Sequence, residues 1–170
     1  EKLSMLKPAF RKDGSVTAGN SSGLNDGSAA VLVSSLAGLL RNGLNPIVRI
    51  VSSAVVGVEP RIMGIGPVEA SKKALAKASL KMSDIDLIEI NEAFAVQVLA
   101  CLRLLHIEDN DPRVNPNGGG IALGHPLGMS GTRILLSAAL ELQLRKKKYA
   151  LVTMCVGVGQ GYAVVLENCK

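Results

Sequence analysis

The 170-residue sequence has no tryptophan, two phenylalanines and two tyrosines, so it lacks the aromatic platforms on which single-stranded nucleic acids stack. Without large rings the core must come from small aliphatic side chains, and 18 glycines let backbone segments approach closely. Cysteine is scarce. Cys101, Cys155 and Cys169 are an odd number at wide spacing, which argues against a disulfide framework and for a reducing compartment. No CxxC occurs, and His106 and His125 fall in no HExxH or CxxCH pattern, so no metal site is expected. No uncharged apolar stretch reaches the roughly 18 to 20 residues that span a bilayer. The opening Glu1-Lys2-Leu3-Ser4 resembles neither an initiator start nor a secretory signal, so the expectation is a soluble piece of a longer chain, with no membrane span.

What is present is 48% hydrophobic residues and a net charge of +5, from 19 basic against 14 acidic residues. Four of the positive charges form the single run Arg145, Lys146, Lys147 and Lys148. Such a run suits a solvated helix end, where cations meet the negative pole of the helix, better than a polynucleotide contact. Residues 8–27 are a turn-rich loop, 29–34 a short apolar run, and 35–42 a helical segment stopped by Gly43. The β-branched stretch 47–58 predicts a buried strand, and Pro67 opens a helix over 68–79 with Ala70, Ala74, Leu75 and Ala78 on one face. A second strand over 86–90 turns at Asn91 into a helix over 93–105. After a loop over 106–120 comes a helix over 132–144, then strands over 149–156 and 162–167 joined by a glycine-rich hairpin. This alternation predicts an α/β domain with a mixed sheet of about five strands, helices on its faces and an antiparallel terminal pair.

None of the glycine-rich places obeys the spacing of a dinucleotide or P-loop cradle, and Gly128-Met-Ser-Gly131 lacks the GxSxG nucleophile elbow. A polar trio on turns remains: Asn91 in Asn-Glu-Ala-Phe, His125 in Gly-His-Pro, and Cys155 in Cys-Val-Gly. Singly, each has an ordinary structural explanation. Asn91 suits a helix N-cap, His125 a satisfied loop histidine, and Cys155 a small buried hydrophobe.

Together these segments resemble the thiolase family over residues 16–167. The motifs are Thr17-Ala-Gly-Asn-Ser-Ser-Gly-Leu-Asn-Asp-Gly27, Asn91-Glu-Ala-Phe-Ala95, Asn117-Gly-Gly-Gly-Ile-Ala-Leu-Gly-His-Pro126 and Cys155-Val-Gly-Val-Gly-Gln-Gly161, in the family's order and at its spacing. The resemblance implies reversible acyl transfer between coenzyme A thioesters, by thiolysis of a 3-oxoacyl-CoA or Claisen condensation of acetyl-CoA, as in fatty-acid metabolism and β-oxidation. Coenzyme A and acyl-CoA are then substrates, with no cofactor. Cys155 matches the family's acid/base cysteine, whose thiolate polar surroundings should stabilise. His125 matches the histidine that activates the nucleophile and serves one oxyanion hole, and Asn91 the residue that positions a water there. The backbone N–H of Gly157 matches a donor of the second hole. Ala18 and Ser22 match positions on the loop beside the pantetheine arm of coenzyme A, and Met63, Ala93 and Phe94 positions shaping its tunnel. Ser22 also has an ordinary explanation as a turn-stabilising hydroxyl.

The family's acyl-carrying cysteine belongs to its N-terminal half, and Cys101 and Cys169 do not match it by motif. The resemblance therefore divides the chain into residues 1–44, the end of the N-terminal domain with a loop, a strand and a short helix, and residues 45–170, the C-terminal domain. It implies a partner N-terminal half, an exposed apolar face, inactivity of this chain alone, and a complete enzyme that is a homo-oligomer in bacterial cytoplasm, mitochondrion or peroxisome. The alternatives are a non-catalytic thiolase-like protein binding acyl-CoA or lipid, and a structural subunit of a split enzyme.

Overall fold

The structure, a computed structural model, describes residues 2–170. Four strands, β1 (Val48–Gly57), β2 (Leu87–Ile90), β3 (Tyr149–Val156) and β4 (Gln160–Asn168), form one sheet in the order β1-β4-β3-β2. The β1/β4 and β3/β4 pairs are antiparallel, and β2/β3 is parallel. Five α-helices accompany them: α1 (Leu36–Asn42), α2 (Gly66–Ala78), α3 (Ala95–Leu104), α4 (Gly120–Leu123) and α5 (Ser130–Arg145).

The continuous apolar run of β4 shows why helices cover both faces of the sheet. Ala163 and Val165 join a cluster with Ala70, Ala74 and Leu75 of α2 and Val98 and Leu102 of α3, while Val164 and Leu166 join Ile134, Ala138 and Leu142 of α5. A strand buried on both sides has no polar alternation to give. The same alternation on β2 sends Ile88 and Ile90 toward α2 and α3, and Leu87 toward α5.

The expected fifth strand is a correction. Residues 29–34 form no strand, and Leu32 and Val33 are exposed. An extended segment is held by ladder hydrogen bonds to a neighbour, and among the described residues none lies beside this one. Together with Leu24, Leu36 and Leu40 it leaves the apolar surface exposed that the sequence predicts.

Helix ends follow the sequence signals. Gly43 closes α1 at φ 59°, and Pro67 sits in the first turn of α2. Past the end of α5, at Lys146, the basic run is partnered locally. Arg145 pairs with Glu141, Lys147 Nζ lies 3.8 Å from Asp86, and Lys148 Nζ sits 4.8 Å from the centre of the Tyr149 ring.

Two glycines set how closely α2 meets the sheet. A Cβ on Gly161 would collide with the Gly66 carbonyl, and one on Gly66 would lie 2.6 Å from the Gln160 carbonyl oxygen. Both obstacles are backbone, which no rotamer change relieves. Gly161→Ala should therefore lower the unfolding free energy in urea by about 1–3 kcal/mol or more. A midpoint equal to that of the parent chain would show that helix and strand separate freely here.

Candidate active site

The β2 edge strand needs a partner on its free side, and residues 113–115 supply it. Ile88 N–H donates to the Arg113 carbonyl at 2.8 Å, and Asn115 N–H donates back to the Ile88 carbonyl at 2.9 Å. The Asn115 side chain then continues the ladder, its Oδ1 accepting from Ile90 N–H and its Nδ2 donating to the Ile90 carbonyl, both at 2.9 Å. Arg113 anchors this strip by donating to the Met82 and Ile85 carbonyls. The last residue of β2 is thus held through both backbone groups, and Asn91 follows immediately, its N–H donating to the Thr153 carbonyl of β3 at 3.0 Å.

Asn91 is fully buried. It is not a helix cap, because α3 begins four residues later, at Ala95, behind the N-cap Phe94, with no side-chain cap bond. Its Nδ2 lies 3.3 Å from His125 Nε2 instead. His125 sits beyond α4, where its own N–H donates to the Gly23 carbonyl and to Asn25 Oδ1, each at 3.2 Å. Gly124 before it is in the left-handed region at φ 98°, with the Asn25 side chain where a Cβ would go.

The other imidazole nitrogen meets a hydroxyl. His125 Nδ1 is 2.6 Å from Ser130 Oγ, and that hydroxyl donates its one proton to the Pro126 carbonyl at 3.1 Å. With that proton on the Pro126 carbonyl, Ser130 accepts from Nδ1–H, and Nε2 of the neutral ring is then a lone pair facing the Asn91 amide. Burial, and secondarily the charge of Arg133, push the His125 pKa below its ordinary value, so this neutral base form is favoured. The ring can accept a proton at Nε2 and, once charged, donate from it.

Cys155 lies near the C-terminal end of β3, opposite Gly161 of β4, and is buried. Burial pushes its thiol pKa upward. The expected polar stabilisation of a thiolate is therefore not met within this chain, whose surroundings here favour the neutral S–H. No hydrogen bond joins Cys155 to His125 or Asn91 among the described residues. Gly157 follows in an exposed turn, with open space where a Cβ would be.

The positions assigned to coenzyme A divide in the same way. Ser22 does not brace its own turn: its N–H and its Oγ both donate to the Ala93 carbonyl, at 3.0 and 3.2 Å. Ser21 bridges Phe94, whose ring stands edge-on to Phe10 at 5.9 Å. The turn-rich loop is thus stitched to Ala93 and Phe94 across some 71 residues of sequence. Ala18 is exposed on a turn capped by Thr17, and Met63 is half-buried in the 3-10 segment Pro60–Ile65. Cys101 is a packing residue, its thiol donating to the Gly64 carbonyl and pushed up to about 11 by burial. Cys169 is exposed.

Four supporting residues lie outside the sequence prediction: Ser130, Asn25, Asn115 and Glu92. The Glu92 carboxylate accepts from Asn115 Nδ2 at 2.8 Å and Ile121 N–H at 3.2 Å, tying the segment after β2 to α4. The signals were present as an Asn before Pro116 and an acid beside Asn91, yet each needs a partner more than twenty residues away. No helix of the described residues is long and apolar enough to cross a membrane, and none of their His, Cys, Asp and Glu side chains cluster as a metal site would require.

A buried imidazole on the loop beyond α4, facing a buried asparagine that follows β2, and a buried thiol near the end of β3 define the class by fold and site: an α/β protein with a histidine, an asparagine and a cysteine at the ends of its parallel strand pair. Residues 44–168 match the model of the thiolase C-terminal domain and residues 1–37 that of the thiolase N-terminal domain, so the chain belongs to the thiolase family. Over 168 residues it is 56% identical to the 3-oxoadipyl-CoA/3-oxo-5,6-dehydrosuberyl-CoA thiolase of Escherichia coli K12, covering 99% of this chain and 42% of that protein. It is 52% identical to the acetyl-CoA acetyltransferase of Syntrophomonas wolfei, covering 98% and 42%. Human mitochondrial 3-ketoacyl-CoA thiolase superposes with a TM-score of 0.96 at 48% identity, over 99% of this chain and 42% of that one. The chain thus spans about two-fifths of the length of these relatives.

Glu89 of β2 gives this region a pH signature. It is 1% exposed, and burial raises its carboxyl pKa from 4.5 to about 7, with Arg133 opposing the rise and Glu92 and Glu141 adding to it. An unfolded chain releases this proton near 4.5, whereas the folded chain keeps it until about 7. The contribution to stability is thus whole below 4.5 and lost as pH rises through about 7. His125 acts oppositely, its contribution being lost as pH falls below 6.5, but equally in parent and variant. Glu89→Gln should therefore match the parent at pH 4 and exceed it at pH 8 by up to about 3 kcal/mol in urea unfolding. Equal stability at pH 8 would show that the carboxyl carries no burial penalty.

Proposed function

We propose that this chain supplies the proton-transfer side of a thiolase active site that acts on coenzyme A thioesters. The observation that carries the reading is the buried relay Asn91–His125–Ser130, in which Nε2 of the imidazole faces the Asn91 amide. In thiolysis of a 3-oxoacyl-CoA, Nε2 of His125 takes the proton of the family's acyl-carrying thiol, and that sulfur attacks the 3-keto carbon. The charged imidazole, with a water held by the Asn91 amide, then stabilises the oxyanion; the buried Oδ1 of Asn91 has no partner within the chain and suits such a water. The C2–C3 bond breaks, and Sγ–H of Cys155 protonates C2 to release an acetyl thioester. The resulting Cys155 thiolate takes the proton of incoming coenzyme A, whose sulfur removes the acyl group, and the departing sulfur takes back its proton from the His125 imidazolium, restoring both thiols. The raised pKa of Cys155 suits the first of its two steps, in which it acts as an acid.

Gly157 N–H is the proposed donor to the thioester oxygen, in an open turn where a substrate can approach the backbone. The loop fastened by Ser22 to Ala93 lies along the pantetheine arm, with Ala18 on it, and Phe94 and Met63 flank the channel. The acyl-carrying thiol and the rest of the coenzyme A site come from a thiolase N-terminal half, and the assembled enzyme is a homo-oligomer of a reducing compartment. Human mitochondrial 3-ketoacyl-CoA thiolase has also been solved in complex with CoA, with the same TM-score of 0.96 to this chain.

The test is catalytic. The 170-residue chain alone should not cleave acetoacetyl-CoA, whereas the chain joined to the remaining portion of the Escherichia coli relative should. In that completed enzyme Cys155→Ala should slow thiolysis and α-proton exchange of acetyl-CoA by roughly 10² to 10⁴. Wild-type exchange of deuterium into acetyl-CoA by this variant would remove Cys155 from the role.

A further inference from the structure

Three consecutive glycines, Gly118-Gly119-Gly120, precede α4 in a segment that does not have the spacing of a phosphate cradle. Gly118 is accounted for by its left-handed φ of 82°. Gly119 is not. Its backbone is extended, at φ −132° and ψ −159°, a conformation open to any residue. What excludes a side chain there is the Glu92 carboxyl group: a Cβ on Gly119 would lie 2.2 Å from its Cδ and 2.5 and 2.6 Å from its two oxygens. Gly120 meets the backbone of the same segment, its Cβ position 3.0 Å from the Glu92 carbonyl oxygen and 3.5 Å from Asn91 Oδ1. Both glycines are buried, and together they form a seat for Asn91 and Glu92.

In that seat each carboxylate oxygen meets one donor, Asn115 Nδ2 at 2.8 Å and Ile121 N–H at 3.2 Å. Asn115 is itself bonded to both backbone groups of Ile90, the last residue of β2. Ile121 is the second residue of α4, so its N–H is one of those a helix leaves unpaired at its start, and the N-cap Gly119 has no side chain to meet it. With four residues, α4 is too short to hold itself. Its end leads directly into the base, because Gly124 N–H donates to the Gly120 carbonyl at 2.9 Å and His125 comes next. We infer that Glu92 is a positioning residue: its carboxylate, seated on Gly119 and Gly120, fixes α4 against the end of β2 and so sets the 3.3 Å approach of His125 Nε2 to the Asn91 amide. This rests on the assignment of His125 and Asn91 to one oxyanion site.

Two substitutions disturb the seat from opposite sides. Both partners of the carboxylate are donors, so Glu92→Gln keeps the length and shape of the side chain but turns one acceptor into a donor that faces a donor. Gly119→Ala keeps the carboxylate but puts a methyl group in its place. The obstacle to that methyl is the end of a flexible side chain, so the carboxylate swings out while the fold is kept. Either change releases the first turn of α4 from β2.

The experiment is steady-state thiolysis of acetoacetyl-CoA by the completed enzyme, with circular dichroism to show that each variant is folded. Glu92→Gln and Gly119→Ala should each lower kcat by roughly 10- to 100-fold, the scale of a small misplacement of a reacting group, with KM little changed. Gly119→Ala added to Glu92→Ala should cost no further activity, because the methyl then enters a vacated seat. Glu92→Gln added to Asn91→Ala should cost well under its factor in the parent, because the partner whose separation it sets is gone. Full multiplicative losses in both pairs would show two independent structural roles and overturn the inference. Unchanged kcat in folded Glu92→Gln and Gly119→Ala enzymes, while His125→Ala abolishes thiolysis, overturns it too and leaves the base assignment standing. Full thiolysis by His125→Ala overturns both.

Discussion

Everything functional here depends on one constraint: a single hydroxyl proton. With the Ser130 proton on the Pro126 carbonyl, only oxygen lone pairs face His125, and the imidazole N–H falls on Nδ1. The proton-accepting nitrogen is thereby directed at Asn91 and away from the helix. Burial and Arg133 then keep the ring neutral, so geometry and electrostatics favour the same state. The remainder of the local structure holds that arrangement in place. Asn115 completes the β2 edge before Asn91, Asn25 fixes the backbone of His125, and Glu92 ties α4 to both.

Much of the architecture was legible from period and punctuation. The β-branched run that became β1, the helical face of α2 stopped near Ser79, and the glycine-rich hairpin between β3 and β4 all form where pattern places them. The short apolar run at 29–34 is instructive in the other direction. Its residues have strand composition, but a strand is a pairing rather than a composition, and nothing in these residues pairs with it. The four-strand sheet follows.

The site divides along the same line. Asn91, His125 and Cys155 were identifiable by motif, because each stands in a segment whose residues and spacing match the family. Their partners were not. Ser130 was weighed only as a nucleophile, although the imidazole it meets lies five residues before it, and Asn91 looked like a cap because its deciding contact lies 34 residues away. Ser22 shows the same limit: the hydroxyl that suited a turn in sequence binds a carbonyl some 71 residues away. Cys155 departs from expectation for a different reason, since desolvation is a property of the packed fold and outweighs any local backbone polarity.

The central claim is the tautomer of His125, and it can be read without turnover. With His106→Gln leaving one histidine, ¹⁵N spectroscopy of the imidazole in the purified chain at pH 8 should show a protonated Nδ1 and an unprotonated Nε2. Ser130→Ala should release that preference. A proton on Nε2 in the parent chain would contradict the account, because the nitrogen facing Asn91 could then not act as a base.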